Sequence, residues 1–136
     1  MGTRSLTKVI NKDTNEIITQ IFQQFDGGID DLGIFLCEFI KQSTSFNNTL
    51  YYNIGNFAAR LVYELFNRSS YTRIVTEDDS LQQFTYEIQI GYKEINFICL
   101  EYDTILFSGN PKDFFEFVRK SNGKVIEDTD NIGLSV

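Results

Sequence analysis

The residues best suited to chemistry sit at the two ends of the first 28 positions: Thr3, Arg4 and Ser5 at the start, Gln24, Asp26 and Gly27 at the finish. Arginine offers a rigid fork of N–H donors, the hydroxyls and the amide donate or accept, and Asp26 can accept or take up a proton. A glycine beside them lets backbone approach closely. These types could hold a small anionic or polar ligand, or they could brace the open end of a hairpin with an Arg4–Asp26 pair.

Other chemistry is narrowed by what the chain lacks. There is no histidine, which removes Ser-His-Asp and Cys-His catalysis together with the commonest general base and transition-metal ligand. Cys37 and Cys99 have no partner at zinc spacing and lie in apolar stretches, so they read as buried free thiols of a reducing compartment. Gly27-Gly28 lacks the lysine and further glycines of a phosphate-binding loop. Asp128 to Gly133 resembles the start of a calcium loop, yet Ile132 stands at a ligand position. The acidic pairs Asp30-Asp31, Asp78-Asp79 and Glu127-Asp128 are explained by caps, turns and solubility. No cofactor and no metal are expected.

Twelve basic against nineteen acidic residues give a net charge of −7, and the basic ones are scattered, which argues against general nucleic-acid binding. Two or three of them can still form a local pocket for an anion. No apolar run approaches a membrane span and the first residues are too polar for a secretory signal, so the expectation is a cytoplasmic protein without membrane contact. With 136 residues, 42% of them hydrophobic, residues 1–136 should form a single domain with 127–136 as a frayed acidic tail.

The elements that would position the cluster follow from periodicity. Residues 3–10 and 16–25 are β-prone around the polar turn Asn11–Asn15, the pattern of a hairpin. If Arg4 opposes Gln24, then Arg4, Gln24 and Asp26 share a face, and a slip of one residue breaks that arrangement. Gly27-Gly28 should supply the positive φ of a sharp exit. A helix follows, capped by Asp30 or Asp31, with Gly33 suggesting close approach of another backbone. Ile54 to Phe66 is the clearest helix, with Asn53 as its cap. Tyr71–Thr76, Phe84–Ile90, Ile95–Leu100 and a strand ending at Phe107 alternate as strands. Asn110-Pro111 starts a last helix that runs to about Asn122 and turns Phe114, Phe117 and Val118 to the sheet. Lys124 to Ile126 reads as a short edge strand. The order ββααββββα predicts an α+β fold in which about three helices pack on an antiparallel sheet built from the N-terminal hairpin and a meander.

Met1-Gly2-Thr3-Arg4-Ser5-Leu6-Thr7, the turn Gln24-Phe25-Asp26-Gly27, Gly33 with Leu36, Glu38 and Phe39, Gly55 with Ala58-Ala59 and Leu61-Val62, and Tyr86-Glu87-Ile88 together resemble a family of small, largely uncharacterised phage and bacterial proteins. That family usually carries a basic residue before the glutamine and an aromatic one after the glycine, where this chain has Gln23 and Gly28. The resemblance implies an intracellular accessory protein acting in phage–host conflict.

The functional expectation is a small binding protein, a phage counter-defence factor that sequesters a small anionic, nucleotide-like signal or inhibits a host protein. Its ligand residues would be Thr3, Arg4, Ser5, Gln24, Asp26 and Gly27. The rivals are a histidine-independent enzyme with Asp26 as base and Arg4 polarising the substrate, and an acidic mimic of nucleic acid. Exposed sheet edges would allow a homodimer.

Overall fold

A computed structural model describes residues 2–45, 49–50, 52–69, 71–78 and 81–122. Strands β1 (Ser5–Asn11) and β2 (Glu16–Gln23) form the hairpin, and a π-helical turn at Ile29–Gly33 leads into α1 (Ile34–Ser43). Then come α2 (Ile54–Arg68), β3 (Thr72–Ile74), β4 (Phe84–Gly91), β5 (Glu94–Glu101), β6 (Thr104–Gly109) and α3 (Pro111–Asn122). The element order and the α+β class are those expected from periodicity. The suggested strand at 124–126, the acidic tail and the calcium-like loop lie outside the described residues.

The sheet has the order β3-β2-β1-β4-β5-β6, and it is mixed where an all-antiparallel sheet was expected. β1 pairs in parallel with β4, from Ser5↔Phe84 to Asn11↔Ile90. The cause is the route of the chain. β3 adds to the outer edge of β2, so β2 and β1 stand between β3 and the next strand in sequence, β4. Hairpin and meander join side by side instead of end to end.

Ser5↔Gln23 and Thr7↔Ile21 set the hairpin register, with an irregularity at Val9/Ile10. Ser5, Thr7, Val9, Ile21 and Gln23 therefore share a face with Tyr86, Ile88, Phe97 and Cys99. The helices cover this face. Phe114 of α3 stacks on Phe97 at 4.3 Å between ring centroids and meets Phe107 at 5.7 Å. Leu36, Ile40, Leu61 and Leu65 complete a buried apolar layer. Asn53 caps α2 through a 2.8 Å bond from Asn56 N–H, and Asn110 caps α3 through one from Asp113 N–H.

The opposite face of the hairpin is also covered, which is why Leu6 and Phe22 are buried although they point away from the helices. Thr76 and Asp78 lie there: Gln20 donates to Thr76 O at 3.2 Å and Lys8 meets Asp78 at 3.5 Å. Both thiols are free and buried. Burial pushes the Cys99 thiol up to about 12, with Glu101 adding to it, and pushes Cys37 higher still.

Candidate functional site

The open end of the hairpin is a closed brace. Gly27 N–H donates to Thr3 O at 3.0 Å, Gln24 N–H to Tyr71 O at 3.0 Å, and Tyr86 Oη to Gly27 O at 2.8 Å. A Cβ on Gly27 would stand 2.5 Å from Ser5 Cβ and 2.9 Å from Thr3 O, so only glycine fits. The left-handed conformation falls on Asp26, with φ of 62°, and not on the expected Gly27-Gly28. Gly28 is extended at φ −72° and precedes the π-helical turn with no side-chain cap, so neither Asp30 nor Asp31 plays the capping role expected of it. At Gly33 an added Cβ would meet only side chains, Ile29 at 3.4 Å and Val118 at 3.5 Å, which places the neighbouring α3 at ordinary contact distance.

The six residues singled out from the sequence divide here. Thr3 and Gly27 are joined through the backbone, and Ser5 is sealed under the helices. Arg4 and Asp26 are both exposed, and no ion pair joins them among the described residues. The work of Arg4 is done by its carbonyl, which accepts from Gln83 N–H at 3.0 Å and Phe84 N–H at 3.2 Å and so ties the hairpin to β4. Gln24 contributes its backbone N–H.

The buried polar group beside them, Gln23, was not singled out by sequence. Its amide donates at 3.1 Å to both Leu65 O and Thr72 Oγ1, crossing from β2 to the last turn of α2 and to β3. Ser5 Oγ, Thr7 Oγ1 and Gln23 Oε1 have no partner. The ion pair at this end is Arg68–Asp31 at 2.8 Å, with the guanidinium lying 4.9 Å from the Phe35 ring centre. Burial pushes the Tyr86 phenol well above its ordinary value; Cys99 and Asp30 add to the rise and Arg68 opposes it.

Open space lies at the other end of the sheet. Three connections converge there: the β1–β2 turn, the β4–β5 turn and the α1–α2 loop. The loop is held by the Thr44↔Leu50 bridge and by Ser45 N–H donating to Thr49 O at 2.8 Å. Asp13 links the two turns by accepting from Tyr92 N–H at 3.0 Å, and Lys12 N–H donates to Ile90 O at 2.8 Å. Between them is a cavity of about 270 Å³ with Leu50, Ile54, Ile90 and Ile95 in its lining.

Tyr52 and Tyr92 also line this cavity and are 60% and 78% exposed. Lys93 Nζ lies 5.2 Å from the Tyr92 ring centre and is the cation among the described lining residues, which also include the Asp13 carboxylate. Asn11 and Thr49 supply further polar groups. An apolar floor, aromatic walls and a few fixed polar groups are the ordinary make-up of a small-ligand site. The sequence carried a faint signal of it: Tyr52, Tyr92 and Lys93 flank predicted turns, where a large ring has no core to fill.

No group of three or more metal-binding side chains occurs among the described residues, and none of their helices is long and apolar enough to cross a membrane. No protein-family model, curated protein or solved structure matches the chain.

Proposed function

We propose that this chain is a binding protein that holds a small, flat, anionic molecule of the nucleotide type in the cavity at the turn end of the sheet. The observation that carries this reading is the pairing of two exposed tyrosines over an apolar floor with Lys93 beside one of them. A base would stack on tyrosine, which is worth about 1–3 kcal/mol per base. The lysine would meet the charge. The family resemblance supplies the setting, a phage counter-defence factor that removes a host signal from solution. Calorimetric titration with adenosine and uridine monophosphates tests the reading. Saturable binding that weakens in Tyr92→Ala and Lys93→Ala supports it, and binding indifferent to both variants sinks it.

Inhibition of a host protein is the second reading, favoured by Tyr63 and Phe66 on α2 and Tyr71 before β3, all exposed large apolar groups. A host-lysate pull-down whose capture disappears in Phe66→Asp, with the fold intact, would support it. Capture unchanged in that variant would remove this surface from consideration.

A further inference from the structure

The helix-free face of the sheet carries a second cavity of about 250 Å³, lined by Asp78 and Gln82 ahead of β4 and bordered by the β5–β6 turn. Its described lining is net negative, whereas in the turn-end cavity Asp13 and Lys93 offset each other. One cation, Lys8, faces three carboxylates, Asp78, Glu87 and Asp103. Lys8 is also spoken for: its ammonium meets Asp78 at 3.5 Å, and Glu87 is its cross-strand neighbour. Among the described lining residues no second cation balances Glu87 and Asp103.

Gln82 points to the same chemistry on separate grounds. It lines the cavity and is only 8% exposed. Its Nε2 donates to Asp78 Oδ1 and Thr85 Oγ1, both at 3.1 Å, while its Oε1 has no partner. A buried carbonyl oxygen left unpaired costs about 1–3 kcal/mol, so it favours any ligand that brings a donor. Glu87 and Asp103 add acceptors, and Leu100 adds an apolar surface between polar neighbours.

We infer that this cavity binds a small organic cation, an alkyl ammonium or guanidinium whose N–H groups meet Glu87, Asp103 and Gln82 Oε1 while its carbon chain lies on Leu100. A bare divalent ion is a poorer match, because it would give up hydration for few direct ligands and leave Leu100 uncovered. The inference stands apart from the nucleotide reading, since the two cavities share no lining residue.

The test is a titration of the ¹⁵N-labelled full chain with 1,4-diaminobutane and with agmatine. Butane-1,4-diol serves as the neutral chain and magnesium as the charge without a chain. The expected result is saturable shifts at Thr85, Glu87, Leu100 and Tyr102 with either cation, an affinity lowered at least tenfold in a Glu87→Gln, Asp103→Asn double variant, and no saturable shift with the diol or with magnesium. Because both substitutions replace surface-facing carboxylates by isosteric amides, the variant's thermal midpoint should stay near that of the parent. Absence of shifts with both cations at about 10 mM, a level that would detect even millimolar affinity, would overturn the inference. So would equal binding of magnesium or the diol, or an affinity unchanged in the double variant.

Discussion

The two ends of the sheet use polar residues to opposite effect. At the strand end Ser5, Thr7 and Gln23 are fully buried, Gly27 is pressed against Ser5 and Thr3, and backbone hydrogen bonds, with those of the Gln23 amide and the Tyr86 hydroxyl, join distant elements. At the turn end Asn11, Tyr52, Tyr92 and Lys93 face an open cavity over apolar side chains. The first end has polar atoms without space and the second has space with polar atoms around it. Residue type alone marks the first as a site; geometry makes it a joint and puts the open cavity at the far end.

The sharpest way to break this contrast is to disturb a glycine at each end. Gly27→Val should cost about 3 kcal/mol of unfolding free energy, because its side chain would overlap Ser5 and the Thr3 carbonyl. Gly91→Ala at the turn end should stay within about 0.5 kcal/mol, since the nearest atoms, 3.3 Å away, belong to the side chains of Asp13 and Glu94. Urea melts of the two variants give the answer, and equal losses would contradict the account.

Alkali should attack the closed layer next. Cys37, Tyr86 and Cys99 all have folded-state values raised by burial, with Cys99 lifted from 9.0 to about 12. Between the unfolded and folded values the unfolded chain has lost protons that the folded chain retains, so stability is whole below about pH 9 and falls as pH rises through 9 to 12. Denaturation midpoints measured across that range should decline, and Cys99→Ala should flatten the decline. A midpoint that stays constant to pH 11 would contradict the burial of these groups.

Smaller effects separate binding from stability. Tyr92→Ala should lower nucleotide affinity by about 1–3 kcal/mol with little change in melting. Arg68→Ala should do the reverse: loss of the bond to Asp31 and of the contact with Phe35 should cost about 1 kcal/mol in stability and leave affinity untouched. Calorimetry and thermal melts on the same two proteins check both, and a crossed pattern would remove the distinction between the ends.

Much of the architecture was legible because it rests on local signals. Asn53 and Asn110 cap the helices they were expected to cap, and Phe114 and Phe117 meet Phe97 and Phe107 of the sheet as their spacing requires, while Val118 is buried beside Gly33. The parallel β1–β4 pairing was not legible, since nothing in the sequence between β3 and β4 states that two strands stand between them in the sheet. The same arrangement hid Gln23. With Ile21 and Phe22 both buried, β2 is covered on both faces and loses the alternation that would have marked an inward amide. Arg4 was expected to brace the hairpin through its guanidinium and Asp26; its backbone carbonyl instead accepts from Gln83 and Phe84 and ties the hairpin to β4, a role that no side-chain type could announce. Beyond the faint signal of Tyr52, Tyr92 and Lys93, the cavities were not legible, because each is assembled from turns and strands far apart in the chain.

The most direct measurement is a map of amide shifts in the ¹⁵N-labelled protein on titration with adenosine monophosphate. The account predicts saturable changes at Asn11, Asp13, Leu50, Tyr52 and Gly91 to Lys93, with Ser5, Gln23 and Gly27 unmoved. Changes centred on Ser5, Gln24 and Gly27 would show that the strand end opens to bind the ligand, and would contradict the assignment of the two ends.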